Sequence, residues 1–248
     1  MFVNKGCFYQ KLSREKCLFQ QSTKIPSLLF STLGWWNKLM KYWVKTPSIF
    51  PILFSTIQWK FSSKHPKLYL TFDDGPCEDV TTKILSILEK EKVKATFFCT
   101  GKNVKNQPEL YQKILKNGHS VGNHTMNHIN GWKKNKRLYI NDVKQASKYI
   151  NSNLFRPPYG KLNFFTLISL IKSYKIVLWD VLSGDFDLTI DVNQVIHNVI
   201  DNAENGSILV FHDNSKFKEI TLSALPEVIT ILKKRGFYFE SIPFSPLW

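Results

Sequence analysis

Thr71-Phe72-Asp73-Asp74-Gly75-Pro76 closes an apolar run, Lys67–Phe72, that reads as a short buried strand. Gly-Pro turns the chain directly after the two carboxylates. Successive strand residues face opposite sides, so Asp73 and Asp74 are expected to set out in different directions. Two charges at the end of an apolar strand are costly unless something compensates them. A division of labour would account for both features: one carboxylate binds a metal and the other stays free as a base. A lone Asp-Asp-Gly-Pro would more simply be a turn or a helix cap, but here the rest of the chain supplies partners.

Gly122-Asn123-His124-Thr125-Met126-Asn127-His128 carries two histidines four residues apart. On a helical turn this spacing puts both imidazoles on one side, within reach of one ion. Neutral imidazole suits zinc and neighbouring transition metals. With one Asp from another strand end the pair makes a two-His, one-carboxylate set that leaves positions open for water and substrate. Arg156-Pro157-Pro158-Tyr159-Gly160 is a stiffened turn whose prolines lack N–H donors. Arg156 is one of four Arg in a chain with 30 Lys, and a planar guanidinium suits holding a carboxylate in a fixed orientation. Ile176–Asp180 is a further strand ending in a carboxylate, continued by Ser183-Gly184-Asp185-Phe186. Ser207–Phe211 then delivers His212 and Asp213. Five successive strand ends, each carrying Asp, His or Arg, are hard to explain as packing alone.

These five pieces, in this order, resemble the polysaccharide deacetylases with the NodB homology domain, carbohydrate esterase family 4. The resemblance covers roughly residues 66–242. Two positions depart from the family pattern: Phe186 stands where Trp is usual and Val210 where Leu is usual. Both substitutions keep an apolar wall on the acetyl pocket while altering its size. The resemblance implies an α/β fold, an incomplete (β/α)7 barrel, and hydrolysis of N-acetyl groups on an amino-sugar polysaccharide such as peptidoglycan or a chitin-like glycan. It implies one divalent ion, zinc, on Asp74, His124 and His128. It implies Asp73 as base, Arg156 as the residue that orients it, the Tyr159 N–H as oxyanion donor, His212 as acid, and Asp185 as the group that holds the His212 ring. Asp180 competes with Asp185 for that last role. An esterase acting on O-acetyl groups would use the same residues. A catalytically silent carbohydrate-binding domain would normally have lost one of them.

Composition sets wider bounds. With 248 residues, 43% of them apolar and 14% aromatic, the chain can bury a core. The net charge of +15 is nearly all Lys and lacks a recognisable nucleic-acid-binding module, so nucleic acid is not an expected partner. Attraction to acidic envelope polymers is compatible with it. Four dispersed cysteines (Cys7, Cys17, Cys77 and Cys99) form no metal or disulfide framework and are expected to be free thiols.

Residues 1–39 read as an unstructured extension, 40–65 as a basic and aromatic lead-in, and 66–248 as the deacetylase domain. Residues 1–60 hold nine Lys/Arg against one acid. Their uncharged runs, Ile25–Asn37 and Thr46–Trp59, fall short of the ~20 residues that span a bilayer, and no standard signal peptide is evident. Lys38, Lys41 and Lys45 interleaved with Trp35, Trp36, Tyr42 and Trp43 suit a peripheral membrane contact through 40–60 and a place in the cell envelope. Met40 is an alternative start. From Lys67 strands alternate with helices, which implies a parallel sheet with right-handed crossovers. Asp79 is expected to cap the first of these helices. Strands are expected at Ala95–Cys99, Ser120–Asn123, Leu154-Phe155, Ile176–Leu178, Ile208–Phe211 and Phe237–Ser241, and a last helix near Leu225–Lys234.

Overall fold

The structure is a computed structural model that describes residues 42–62 and 64–247; Cys7, Cys17, Met40 and the rest of 1–39 lie outside the described residues. Parallel strands and helices alternate in the order α1 (Ile49–Leu53), β1 (Lys67–Asp73), α2 (Glu78–Lys90), β2 (Ala95–Cys99), α3 (Gly101–Asn106), α4 (Pro108–Lys116) and β3 (Ser120–Asn123). Then follow α5 (Lys136–Ala146), β4 (Leu154–Phe155), α6 (Phe164–Leu170), β5 (Lys175–Ile176), β6 (Val181–Leu182), α7 (Val192–Ile200), β7 (Ile208–His212), α8 (Lys218–Lys234) and β8 (Tyr238–Phe239). The sheet order is β5-β4-β3-β2-β1-β7-β6, with β8 on the start of β1. This is the incomplete (β/α)7 barrel expected from the sequence.

Period-two alternation explains which side chains reach the barrel interior. On β1, Leu68, Leu70 and Phe72 face the helices, where they join Val80, Ile84 and Leu88 of α2 and Ala224, Val228 and Leu232 of α8. Tyr69 faces inward with Phe98, Leu154, Val177 and Ile208. Thr71 and Asp73 continue that inner row, so the row that begins with an aromatic plug ends in a carboxylate at the C-terminal rim. Barrel sites form on that rim because the βα loops converge there.

The gap between β5 and β6 is bridged by the lead-in. Leu182 N donates to Val44 O (2.8 Å) and Thr46 N to Asp180 O (2.8 Å) on one edge. Gln58 N donates to Ile176 O (2.8 Å) and Leu178 N to Gln58 O (2.9 Å) on the other. Lys45 Nζ clasps Asp180 at 2.8 Å and Glu204 at 2.7 Å, and Lys60 also pairs with Glu204. Trp43, just before the first anchor, and Ile49, Ile52, Leu53 and Phe54, between the two, remain exposed. Among the described residues no helix is long and apolar enough to cross a membrane.

Several expectations need correction. Helix α2 starts at Glu78 with Cys77 at its cap position, so Asp79 lies in the first turn and complements the dipole without capping. The last helix starts seven residues earlier than its apolar stripe suggested and carries Pro226 internally. Strand β5 ends at Ile176: Pro157 has no N–H to offer the Val177 carbonyl, and Arg156 donates to the Val177 and Leu178 carbonyls instead. Cys77 and Cys99 are free.

Candidate active site at the barrel mouth

Asp73 is the last residue of β1 and is almost fully buried. Arg156, itself fully buried just after β4, reaches it with Nη1 at 2.6 Å. The same Nη1 donates to Thr71 Oγ1 (2.8 Å), Nε to Val177 O (3.2 Å) and Nη2 to Leu178 O (3.1 Å). Phe98 lies 4.0 Å under the guanidinium carbon. Burial lowers the Arg156 pKa and the Asp73 charge opposes that. The fork is thus fixed by barrel carbonyls on one side and by a single Nη1 contact to the carboxylate on the other, a spread of donors that a Lys could not reproduce.

Asp74 diverges from Asp73 for a different reason than strand alternation. It has left the strand and adopts φ 88°, ahead of Gly75 and a cis Pro76. Asp213 holds that turn: its Oδ1 accepts from Gly75 N (2.8 Å) and its Oδ2 from Thr81 Oγ1 (2.6 Å). A Cβ on Gly75 would come within 1.9 Å of the Asp213 carboxylate, so only glycine fits. Burial, with Asp74 and Asp73 nearby, pushes the Asp213 carboxyl up to about 8.

His124 and His128 do not lie on a helical turn. His124 directly follows β3, and the two rings are joined by a loop in which Thr125 (φ 66°) and His128 (φ 52°) are left-handed. The backbone of this loop is folded back by side-chain acceptors, so the pair converges without helical spacing: Asp142 accepts from Met126 N (2.8 Å) and Asn127 N (3.0 Å). The ring centroids are 5.1 Å apart. His124 Nδ1 lies 2.7 Å from Arg156 O, which fixes Nδ1 as the protonated nitrogen and leaves the Nε2 lone pair facing Asp74 at 3.7 Å. Burial depresses the His124 pKa to about 4 and so keeps the ring neutral.

Ligand atoms of Asp74, His124 and His128 all lie within 4.8 Å of one another. The fit to a cation is visible at Asp74. Its Oδ2 accepts from Asn214 Nδ2 (3.0 Å), while its buried Oδ1 has no well-formed hydrogen bond among the described residues. His128 Nε2 is 3.0 Å from that oxygen. Burial raises the Asp74 pKa, yet His128, His212 and His124 outweigh it and hold the carboxyl well below the usual range. An ionised oxygen with free lone pairs, facing two imidazole nitrogens, is a donor set suited to zinc or a similar ion.

Across the mouth, β7 delivers His212, half-buried, with Nδ1 2.7 Å from Asp185 Oδ1. Asp185 is fully buried and also accepts from His212 N (2.7 Å), Thr221 Oγ1 (2.8 Å) and Ser183 Oγ (3.0 Å). Asp180 is engaged elsewhere, with Lys45 and Ser207. Burial would lower the His212 pKa, but Asp185, with smaller contributions from Asp74 and Asp73, raises it to about 9. Phe186 and Phe217 meet the imidazole edge-on at 5.3 and 6.1 Å. Tyr159 (φ 60°) is exposed and meets the His128 ring edge-on at 4.7 Å. All eight residues singled out in the sequence therefore meet at one rim. The sequence gives little sign of the roles of Asp142, Asp213 and Asn214, although Asp213 stands beside His212 at the end of its strand. Asp142 had left a trace, an acid beside the apolar stripe Tyr139, Val143 and Ala146.

A barrel with a metal-ready Asp-His-His set beside a clamped carboxylate and an Asp-held imidazole defines a class, the metal-assisted hydrolases. Residues 61–176 match the polysaccharide deacetylase family. A peptidoglycan-N-acetylglucosamine deacetylase of Bacillus cereus is 32% identical over 193 residues, covering 75% of this chain and 91% of the relative. The chitooligosaccharide deacetylase of Sinorhizobium fredii is 30% identical over 72% of this chain and 91% of its own length. Among solved structures, the Bc1960 peptidoglycan N-acetylglucosamine deacetylase superposes with a TM-score of 0.74 at 30% identity, over 80% of this chain and 95% of that one. A family 4 carbohydrate esterase from Streptomyces lividans, solved with acetate, gives 0.65 at 26% identity, over 72% of this chain and 93% of that one. The chain belongs to the polysaccharide deacetylase family, whose enzymes are in general metal-dependent.

Proposed function

We propose that this chain removes N-acetyl groups from amino sugars of a cell-wall glycan, with peptidoglycan N-acetylglucosamine as substrate and acetate as product. The observation that carries this reading is the meeting, on one rim, of the Asp74–His124–His128 set, the Asp73–Arg156 pair and the His212–Asp185 pair. Asp74 Oδ1, His124 Nε2 and His128 Nε2 would hold the ion, zinc by donor chemistry. When bound there, it supplies a Lewis acid that lowers the pKa of a water and polarises a carbonyl oxygen.

The protein side chains divide the proton work. Asp73 takes the proton of the attacking water; Arg156 keeps the carboxylate aimed and stops it from swinging onto the metal set. The backbone N–H of Tyr159 faces the developing oxyanion, a donor worth on the order of 10²–10³ in rate. His212, protonated at neutral pH, gives its Nε2 proton to the departing amine while Asp185 holds Nδ1. Phe186 and Val210 line the acetyl side.

One observation favours amide over ester cleavage. An alkoxide of a sugar leaves with little help, whereas an amine must be protonated, and the His212 imidazolium is strongly supported by a buried carboxylate. O-acetyl esterase activity on the same site is the second reading. For the lead-in, the exposed Trp43, Ile49, Ile52, Leu53 and Phe54 and the basic excess of residues 1–60 support peripheral contact with an anionic membrane in the cell envelope. Acetate release from peptidoglycan and from chitooligosaccharides, set against deacetylation of acetylated xylan, tests the substrate class.

A further inference from the structure

We infer that Asp142 is a positioning residue for metal binding: its carboxylate sets the loop that carries His128. This rests on the reading of Asp74, His124 and His128 as the ligands. Asp142 lies on α5, at a helical position shared with buried Tyr139, Val143 and Ala146, and is nine-tenths buried itself. A buried acid is costly unless donors surround it. Among the described residues its donors all come from the segment between the two histidines. Oδ1 accepts from Met126 N at 2.8 Å and Asn127 N at 3.0 Å, and Oδ2 accepts from Asn127 Nδ2 at 2.6 Å.

The loop needs such an anchor. Thr125 and His128 are both left-handed non-glycine residues, a strained backbone that persists only where the surroundings over-determine it. The start of the loop is tied independently, by Asn123 Oδ1 to Thr125 N (2.8 Å) and by Thr125 O and Met126 O accepting from the first turn of α3. His124 has its own anchor at Arg156 O. The described hydrogen bonds give the His128 ring no comparable tie. Its place opposite Asp74 follows from the backbone of Met126 and Asn127, both of whose N–H groups Asp142 holds, with Lys102 N on Met126 O and Ile129 N on Thr125 Oγ1 (3.3 Å) as the neighbouring ties. Groups that orient ligands in this way typically contribute 10–100-fold to metal affinity.

The test is metal affinity, read by chelator competition with Zn²⁺ and by the visible spectrum of the Co²⁺ form. Asp142→Ala should bind 10–100-fold more weakly, with an altered Co²⁺ spectrum. Asp142→Asn keeps one oxygen for the two backbone donors and should fall between Ala and wild type. Asn127→Ala removes only the side-chain bond and should stay near wild type. Wild-type affinity and spectrum in folded Asp142→Ala would overturn the inference; if that variant does not fold, wild-type behaviour of Asp142→Asn overturns it equally. A wild-type chain that binds neither ion would instead sink the ligand assignment itself and this inference with it.

Discussion

Replacing Asp185 with Asn tests how the barrel keeps His212 charged. The exchange preserves volume but removes the negative charge and puts an N–H₂ against either His212 Nδ1 or the donors His212 N and Thr221 Oγ1. The two contributions that lift His212 to about 9 most strongly, the charge and the hydrogen bond of Asp185, are lost together, while the burial that lowers the pKa remains. The imidazole should return to its ordinary 6.5 or below. At ~1.4 kcal/mol per factor of ten, the imidazolium loses roughly 3 kcal/mol of support. At pH 8 most molecules would then lack the proton that the amine needs, and the remainder would hold the ring loosely. Acetate release from a chitooligosaccharide should drop by about 10² or more, whereas hydrolysis of 4-nitrophenyl acetate, whose leaving group needs no proton, should change little. NMR titration of His212 supplies the independent reading. The sign also fixes the wild-type pH profile: a proton held with a raised pKa is present at neutral pH and lost as pH rises, so amide turnover should fall on the basic side. A cation on Asp74 opposes part of that lift, so the basic limb of the metal-loaded enzyme should lie below the His212 pKa of the metal-free protein. Equal losses on amide and ester, or an unchanged His212 titration, would show that Asp185 does not act through the acid.

Three further outcomes are expected. Asp73→Asn should abolish turnover with metal affinity nearly intact, while Asp74→Asn should lose metal as well; chelator competition separates them, and equal metal loss in both reverses the assignment of base and ligand. Arg156→Met should cost about 3–5 kcal/mol in denaturant unfolding, because it leaves the buried Asp73 charge uncompensated; a loss under ~1 kcal/mol would mean that water or another cation replaces the guanidinium. A chain starting at Met40 should keep full activity on small soluble substrates, whereas one starting at Lys64 should unfold readily, since it loses the Lys45, Thr46, Gln58 and Lys60 bonds to both open barrel edges; liposome flotation of the full chain against Ile52→Asp and Leu53→Asp variants reads the membrane contact, and unchanged lipid binding in the variants would discard it.

The alternating strand β1 shows how far the sequence could be read. Apolar Leu68, Leu70 and Phe72 alternate with Tyr69, Thr71 and Asp73, and this pattern alone brings Asp73 to the inner rim. Strand ends elsewhere carried their own polar residues, so the rim was legible as five pieces before their convergence was known. The departures come from contacts that have no local signature. Asp74 turns away from Asp73 through a left-handed backbone that Asp213 stabilises from 139 residues downstream. The histidine loop owes its shape to Asp142, not to helical spacing. β5 stops early where Pro157 has no N–H for the Val177 carbonyl, which Arg156 takes together with that of Leu178. In sequence, residues 40–65 read as a lead-in to a domain beginning at 66, yet the bonds of Lys45, Gln58 and Lys60 run to β6, the end of β5 and the turn before β7, a role no periodicity announces.

Acetate release from peptidoglycan, with the metal stripped and then restored, tests the central claim most directly. The account predicts release that vanishes on stripping, returns with Zn²⁺ or Co²⁺, and stays absent in Asp73→Asn even with metal bound. Undiminished release from metal-free protein, or restored release in metal-loaded Asp73→Asn, would contradict it.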